Sequence, residues 1–173
     1  GVDVGTFNIT QHVVDRNDMG GIAGNSSGVI SSCTNYGTIG YNHTGYNVGG
    51  IAGSQNGKIL NCTNEGDIYG RKDVGGIVGQ VATEYDFDPE DDITLTGTES
   101  FDVEQTIKAV VRDSRNFGDI TGKKDNVGGI VGKAEYGAII SCESYAPIES
   151  NGGSDVGGIA GSASYAIRSC YSM

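Results

Sequence analysis

Apolar residues recur along the chain at three short stations inside a repeated unit. The first station is a block of the type Val-Gly-Gly-Ile-(Ala/Val)-Gly, and the second and third are single Ile or Val positions further on. Gly and Asn residues separate the stations. Short stations of β-branched residues bounded by corner residues predict β-strands, and the frequent glycines disfavour helices. The copies of the first block occupy residues 18–24, 47–53, 73–79, 126–132 and 155–161.

The spacing of the blocks predicts a solenoid with one insertion. From Gly20, the first glycines of successive blocks are separated by 29, 26, 53 and 29 residues. The long step equals one unit plus about 27 inserted residues, which we place at about 81–106. We therefore predict an all-β, right-handed parallel β-helix (β-solenoid) with three short strands per coil. It has about five to six coils, including a partial coil within 1–18, and forms a single domain over 1–173.

Three aligned columns predict what faces the interior of each coil. The second apolar station supplies stacked core residues, and a cysteine column follows three positions later. Two residues after that, asparagines recur at positions where stacked side-chain amides can bond to one another and to the turn backbone. The columns are Ile30, Ile59, Val111, Ile139 and Ile167; then Cys33, Cys62, Ser114, Cys142 and Cys170; then Asn35, Asn64 and Asn116.

Composition supports a thin, layered core and limits the partners. The chain has 30 glycines, two prolines and no tryptophan, which suits coils that each contact only their neighbours. A formal net charge of −11 excludes nucleic acid and anionic membrane surfaces as expected partners, because both require a basic surface. No apolar run approaches the roughly 20 residues that span a bilayer. We expect an extracellular or cell-surface location and a fragment of a longer protein.

The five glycine blocks, each followed by an Ile-x-x-Cys-x-Asn-type strand and then Gly-x-Ile, resemble the GLUG-motif repeats of bacterial secreted and cell-surface proteins. Such repeats occur in adhesin-like proteins and in the non-catalytic part of secreted immunoglobulin-A-cleaving metallopeptidases. The resemblance implies a β-solenoid spacer or binding module in an exported protein, continued by further repeats of the same chain. It transfers no catalytic residue. Met19 in place of Val and Ser114 in place of Cys depart from the pattern.

The four cysteines permit two interpretations. An even count in an exported chain suggests disulfides, but in-register stacking holds Cβ atoms about 4.8 Å apart, further than a disulfide prefers. We therefore predict buried free thiols that act as small apolar core residues. Zinc is not expected, because no CxxC or CxxH spacing occurs.

One acidic run in the insertion is the single metal-site candidate. The alternating carboxylates of Asp86, Asp88 and Asp91, beside Pro89, could supply oxygen ligands to Ca²⁺. The run lacks the glycine and the terminal glutamate of an EF-hand loop, so a solvated acidic loop is the competing interpretation. No other cofactor is expected.

The sequence favours a non-catalytic function: a structural or adhesive module that binds a glycan or protein ligand or serves as a spacer. Tyrosines near corners either stack on a ligand or simply cover corner backbone; they are Tyr36, Tyr41, Tyr46, Tyr69, Tyr136, Tyr145, Tyr165 and Tyr171. The alternative is a polysaccharide lyase or hydrolase, since parallel β-helices host such enzymes. Its candidate residues would be Arg112, Asp113, Arg115 and Asp119.

Overall fold

The computed structural model describes residues 17–81 and 109–173, and in these ranges the chain is a β-solenoid without a helix. Strands β1 to β24 pair in parallel with the equivalent strands of neighbouring coils and form five sheets. The described residues form four coils of five strands and a fifth coil of four. Most of the predicted partial coil and nearly all of the predicted insertion lie outside the described residues.

The five sheets follow one another around each coil, and we number them in that order. Sheet 1 contains β1 (Asn17–Gly20), β6 (Tyr46–Gly49), β11 (Lys72–Gly75), β16 (Val127–Gly128) and β21 (Val156–Gly157). Sheet 2 contains β2 (Ala23–Ser26), β7 (Ala52–Gln55), β12 (Val78–Val81), β17 (Val131–Ala134) and β22 (Ala160–Ala163). Sheet 3 contains β3 (Val29–Ser31), β8 (Lys58–Leu60), β13 (Val110–Arg112), β18 (Ala138–Ile140) and β23 (Ala166–Arg168).

Sheets 4 and 5 close the coil and are built from strands of two or three residues. Sheet 4 contains β4 (Thr34–Asn35), β9 (Thr63–Asn64), β14 (Arg115–Asn116), β19 (Glu143–Ser144) and β24 (Tyr171–Ser172). Sheet 5 contains β5 (Ile39–Gly40), β10 (Ile68–Tyr69), β15 (Ile120–Gly122) and β20 (Ile148–Ser150). All strands keep register across coils, so that Ile68, for example, pairs with Ile39 on one side and Ile120 on the other.

The prediction of three strands per coil is wrong, because two of the apolar stations each contain a bend. In the second coil the glycine block turns at Gly50 and Ile51, so β6 ends before them and β7 begins after them. The second station is interrupted at Asn61, whose φ of 52° cannot continue a strand. The equivalent residues of the other coils, Ser32, Asp113, Ser141 and Ser169, also have φ between 52° and 54°.

The interior of the coil is divided into two apolar clusters. The larger one lies between sheets 2 and 3 and includes Ile59, Ile77 and Val78, while the smaller one joins Val48 of sheet 1 to Ile68 of sheet 5. Between the two clusters the second glycine of the first three blocks contacts the asparagine column, and in the last two blocks it contacts Ser144 and Ser172. A Cβ atom on Gly50 would overlap with the Asn64 side chain and with the backbone of the next coil. The block therefore requires glycine at this position.

The predicted asparagine ladder is confirmed. Asn35 Nδ2 donates to Asn64 Oδ1 at 2.8 Å, and Asn64 Nδ2 donates to Asn116 Oδ1 at 2.8 Å. Each Nδ2 also donates to the carbonyl oxygen two residues later in its own turn, as Asn64 does to Gly66 at 2.7 Å. The ladder ends at Ser144, whose buried hydroxyl has no hydrogen-bond partner. Side-chain bonds thus reinforce the backbone pairing of sheet 4.

A second polar column stands where each glycine block begins, and there Asp and Asn alternate. Its members are Asp18, Asn47, Asp73, Asn126 and Asp155, all with φ between 54° and 62°. Asn47 Nδ2 donates to Asp18 Oδ1 at 2.9 Å, and Asn126 Nδ2 donates to Asp73 Oδ1 at 2.5 Å. Burial raises the pKa of Asp73, and the Asn126 hydrogen bond opposes that shift. The alternation keeps carboxylates from stacking directly on one another.

Candidate functional site

The outward side of sheet 4 presents stacked aromatic rings in the last three coils. The rings of Phe117 and Tyr145 are parallel within 7° with centroids 5.2 Å apart, and Tyr171 follows at 6.0 Å and 52°. In-register pairing of β14, β19 and β24 places the three side chains in consecutive coils. Phe117 is 48% exposed and Tyr171 is 51% exposed. We call Phe117, Tyr145 and Tyr171 the aromatic face.

Polar groups beside these rings fix the position of Tyr145. The Tyr145 hydroxyl donates to Glu143 Oε2 at 2.9 Å, and the same oxygen accepts a hydrogen bond from Arg115 Nε at 2.9 Å. Arg115 and Glu143 pair directly in register, which explains why their side chains meet. The hydrogen bond to Glu143 raises the pKa of Tyr145, because losing the proton would place two negative charges together. The aromatic face thus combines flat apolar rings with ordered donors and acceptors.

The tyrosines identified in the sequence separate into groups. Tyr145 and Tyr171 lie on the aromatic face, whereas Tyr41 belongs to a turn and forms an isolated bridge with Thr44. The sequence analysis considered only tyrosines, and the structure adds Phe117 to the aromatic face. The signal was present in the sequence, because Phe117 follows Asn116 as Tyr36 follows Asn35 and as Tyr145 follows Ser144.

The four candidate residues of the enzyme alternative are divided between two corners. Arg112 ends β13, Asp113 forms the corner after it, and Arg115 lies in β14, where it is paired with Glu143. Asp119 lies beyond the next corner, and its backbone N–H donates to Asp67 Oδ1 at 3.1 Å. The structure therefore brings three of the four residues to one corner and leaves Asp119 at another.

All four cysteines are free thiols in one column with Ser114, and the prediction that they are buried is correct for Cys62 and Cys142 but wrong for Cys33 and Cys170, which are half-buried. Cys62 and Cys142 are buried, and burial raises the pKa of Cys142 to about 12. Among residues 17–81 and 109–173, no group of three or more His, Cys, Asp or Glu side chains is arranged to hold a metal ion. The calcium candidates Asp86, Asp88 and Asp91 lie outside the described residues.

No helix in the described part of the chain has the length and apolar character needed to cross a membrane.

Comparison with known proteins identifies one coil of the solenoid. A family model described as the GLUG motif matches residues 44–69. No curated protein and no solved structure gives a significant match. The matched residues contain all five strands of the second coil, from the start of β6 to the end of β10. Residues 44–69 are therefore a GLUG motif, and this motif folds as one complete coil of a parallel β-solenoid.

Proposed function

We propose that this chain is a non-catalytic adhesion module of an exported bacterial surface protein, and that it binds a glycan on the aromatic face. The observation that supports this proposal is the set of neighbouring rings beside the Arg115–Glu143 pair, in which Phe117 and Tyr171 are exposed and Tyr145 is half-buried between them. Exposed aromatic rings provide large, rigid contact area, and neighbouring polar groups provide orientation. A sugar ring has both an apolar face and hydroxyl groups that can meet these two features.

The rigidity of the scaffold supports the same proposal. The rings of the aromatic face stand in consecutive coils, whose backbones are held in register by continuous parallel pairing in sheet 4. A surface that is already ordered loses little conformational entropy when it binds. The same continuity would let the solenoid act as a spacer that holds other parts of the parent protein apart, and this spacer role is the second candidate.

A glycan array followed by calorimetry tests the adhesion proposal. We expect the 173-residue chain to bind at least one class of glycan, and Tyr145→Ala to weaken that binding at least about tenfold, or about 1.4 kcal/mol. Tyr145→Phe should retain stacking and weaken binding less, because it removes only the hydroxyl. The matched control is Tyr36→Ala. Tyr36 occupies the equivalent position in the first coil and is 74% exposed, but Glu65 rather than an aromatic residue follows it in the next coil.

Two results would contradict the proposal, the first its adhesion role and the second its binding site. One is a folded chain that binds nothing on the array, which would leave the spacer role as the remaining candidate. The other is equal loss of binding in Tyr36→Ala and Tyr145→Ala, which would place the ligand away from the aromatic face.

A further inference from the structure

A groove of about 260 Å³ runs along the outward side of sheet 3 in the last three coils. Its floor contains Ala138 and Ala166, which pair in register, and Tyr165 stands at one side. Arg112 and Arg168 line the other side. We call this the sheet 3 groove. Ala138 and Ala166 contribute only methyl groups to this lining, and Ile140 lies between the two arginines.

Strand register fixes the separation of the Cα atoms of the two arginines in the groove. Arg112 and Arg168 both pair with Ile140, one from each side, so their Cα atoms lie two strand spacings apart, about 10 Å. Side chains alternate across a strand, and these residues point away from the interior, since their neighbours Val111 and Ile139 are fully buried. The two guanidinium groups can thus contact two separate acidic groups of one extended ligand.

The charge of the groove differs from that of the molecule. The chain has a formal net charge of −11, yet two of its eleven basic residues line this groove. Arg112 is exposed, and within the described ranges its side chain forms no ion pair. A guanidinium group that is not paired with a carboxylate of its own chain is suited to bind a carboxylate of a ligand, because its N–H groups match the two carboxylate oxygens.

We propose that the sheet 3 groove binds a polyuronate, an acidic polysaccharide whose carboxylates contact Arg112 and Arg168 and whose sugar ring lies on Tyr165. The proposal rests on the proposed adhesion function and specifies the class of its ligand. The groove and the aromatic face are neighbours, because only Asp113 and Ser114 separate β13 from β14. One extended chain can therefore contact both surfaces.

The observations favour an acidic glycan over other polyanions. Nucleic acid binds through many phosphate contacts to a basic surface, and this groove offers only two basic side chains on a chain of net charge −11. An acidic peptide could bind the arginines, but its Asp and Glu side chains have no apolar ring face that could lie on Tyr165. An acidic peptide that competes for the groove is one outcome of the test below.

Calorimetry with defined oligosaccharides tests the proposal. We expect oligogalacturonate to bind the 173-residue chain, and Arg112→Gln to weaken binding at least tenfold, with a further loss in the Arg112→Gln/Arg168→Gln variant. Binding should also weaken as salt is raised, since exposed charges are screened. Arg71→Gln is the matched control, because Arg71 lies in the turn between β10 and β11, away from sheet 3, and this variant should bind as the unmodified chain does.

The polyuronate proposal is overturned if oligogalacturonate does not bind, if Arg112→Gln and Arg71→Gln bind it equally well, or if polyglutamate binds as tightly and displaces it. A neutral cello-oligosaccharide of the same length distinguishes failure of the polyuronate proposal from failure of the glycan-adhesion proposal. Binding of the neutral probe that is lost in Tyr145→Ala but retained in Arg112→Gln would support glycan adhesion, while loss of the neutral probe in both variants would count against an acid-specific groove.

Discussion

Replacing Asn64 with alanine tests whether the Asn ladder stabilises the solenoid. Asn64 is fully buried in the second coil and forms three side-chain hydrogen bonds: to Gly66, to Asn116 and from Asn35. Each such bond contributes about 1 kcal/mol net, so their loss removes about 3 kcal/mol. The substitution also removes the donor that bonds to the buried Asn116 Oδ1, and an unpaired buried acceptor costs about 1–3 kcal/mol more.

We therefore expect Asn64→Ala to lower the free energy of unfolding by about 4 kcal/mol or more. This is a large fraction of the roughly 5–15 kcal/mol that stabilises a typical domain. Urea unfolding followed by circular dichroism measures the change, which should appear as a lower midpoint. Because coils of a solenoid can open locally, amide hydrogen exchange should show the largest loss of protection in the second coil and its neighbours.

Two further variants make the Asn64 test specific. Asn25→Ala is the matched control, because Asn25 is exposed in β2, and its unfolding free energy should stay within about 0.5 kcal/mol of the unmodified chain. Asn64→Asp retains the shape but removes both donors, so it should be strongly destabilised at neutral pH and recover in part when its carboxyl is protonated. If Asn64→Ala lowers the free energy of unfolding by less than about 1 kcal/mol, the ladder does not stabilise the fold.

Three other perturbations have outcomes that the structure defines. Ser144→Asn should stabilise the chain by about 1 kcal/mol in urea unfolding, because an amide there extends the ladder beyond Asn116 and replaces an unpaired buried hydroxyl. The free energy of unfolding should fall between pH 9 and pH 12, because the unfolded chain loses the Cys142 proton near pH 9 whereas the folded chain retains it up to about pH 12. Cys142→Ser should therefore make the free energy of unfolding less dependent on pH over this range. Replacing residues 82–105 by a short Gly/Ser turn should abolish any heat of Ca²⁺ binding, which calorimetry at millimolar calcium measures.

Each of these three predictions has a contradicting result. An unchanged or lower midpoint in Ser144→Asn would mean that the fourth coil cannot accept the ladder geometry. The thiol prediction is wrong if Cys142→Ser and the unmodified chain have the same pH dependence over that range. Calcium binding that persists without residues 82–105 would show that the site does not contain the three aspartate candidates. If the unmodified chain releases or absorbs no heat on titration with Ca²⁺, the three aspartates do not bind calcium.

The repeat pattern of the sequence is enough to predict the architecture, because a solenoid repeats its contacts wherever it repeats its residues. The spacing of the glycine blocks predicted stacked parallel coils. The column containing Asn35, Asn64 and Asn116 predicted the internal ladder, since register places equal positions about 4.8 Å apart. The thiol column was predictable for the same reason.

The number of strands within a coil and the arrangement of side chains on its surface depend on contacts between coils, which the sequence pattern does not contain. Five strands replaced three because residues such as Asn61 adopt positive φ and divide a station that looks continuous in the sequence. The requirement for glycine at Gly50 arises from contact with Asn64 across the coil, which no local pattern reveals. The aromatic face and the sheet 3 groove likewise depend on side chains from consecutive coils that stand far apart in the chain and meet only when the coils are stacked.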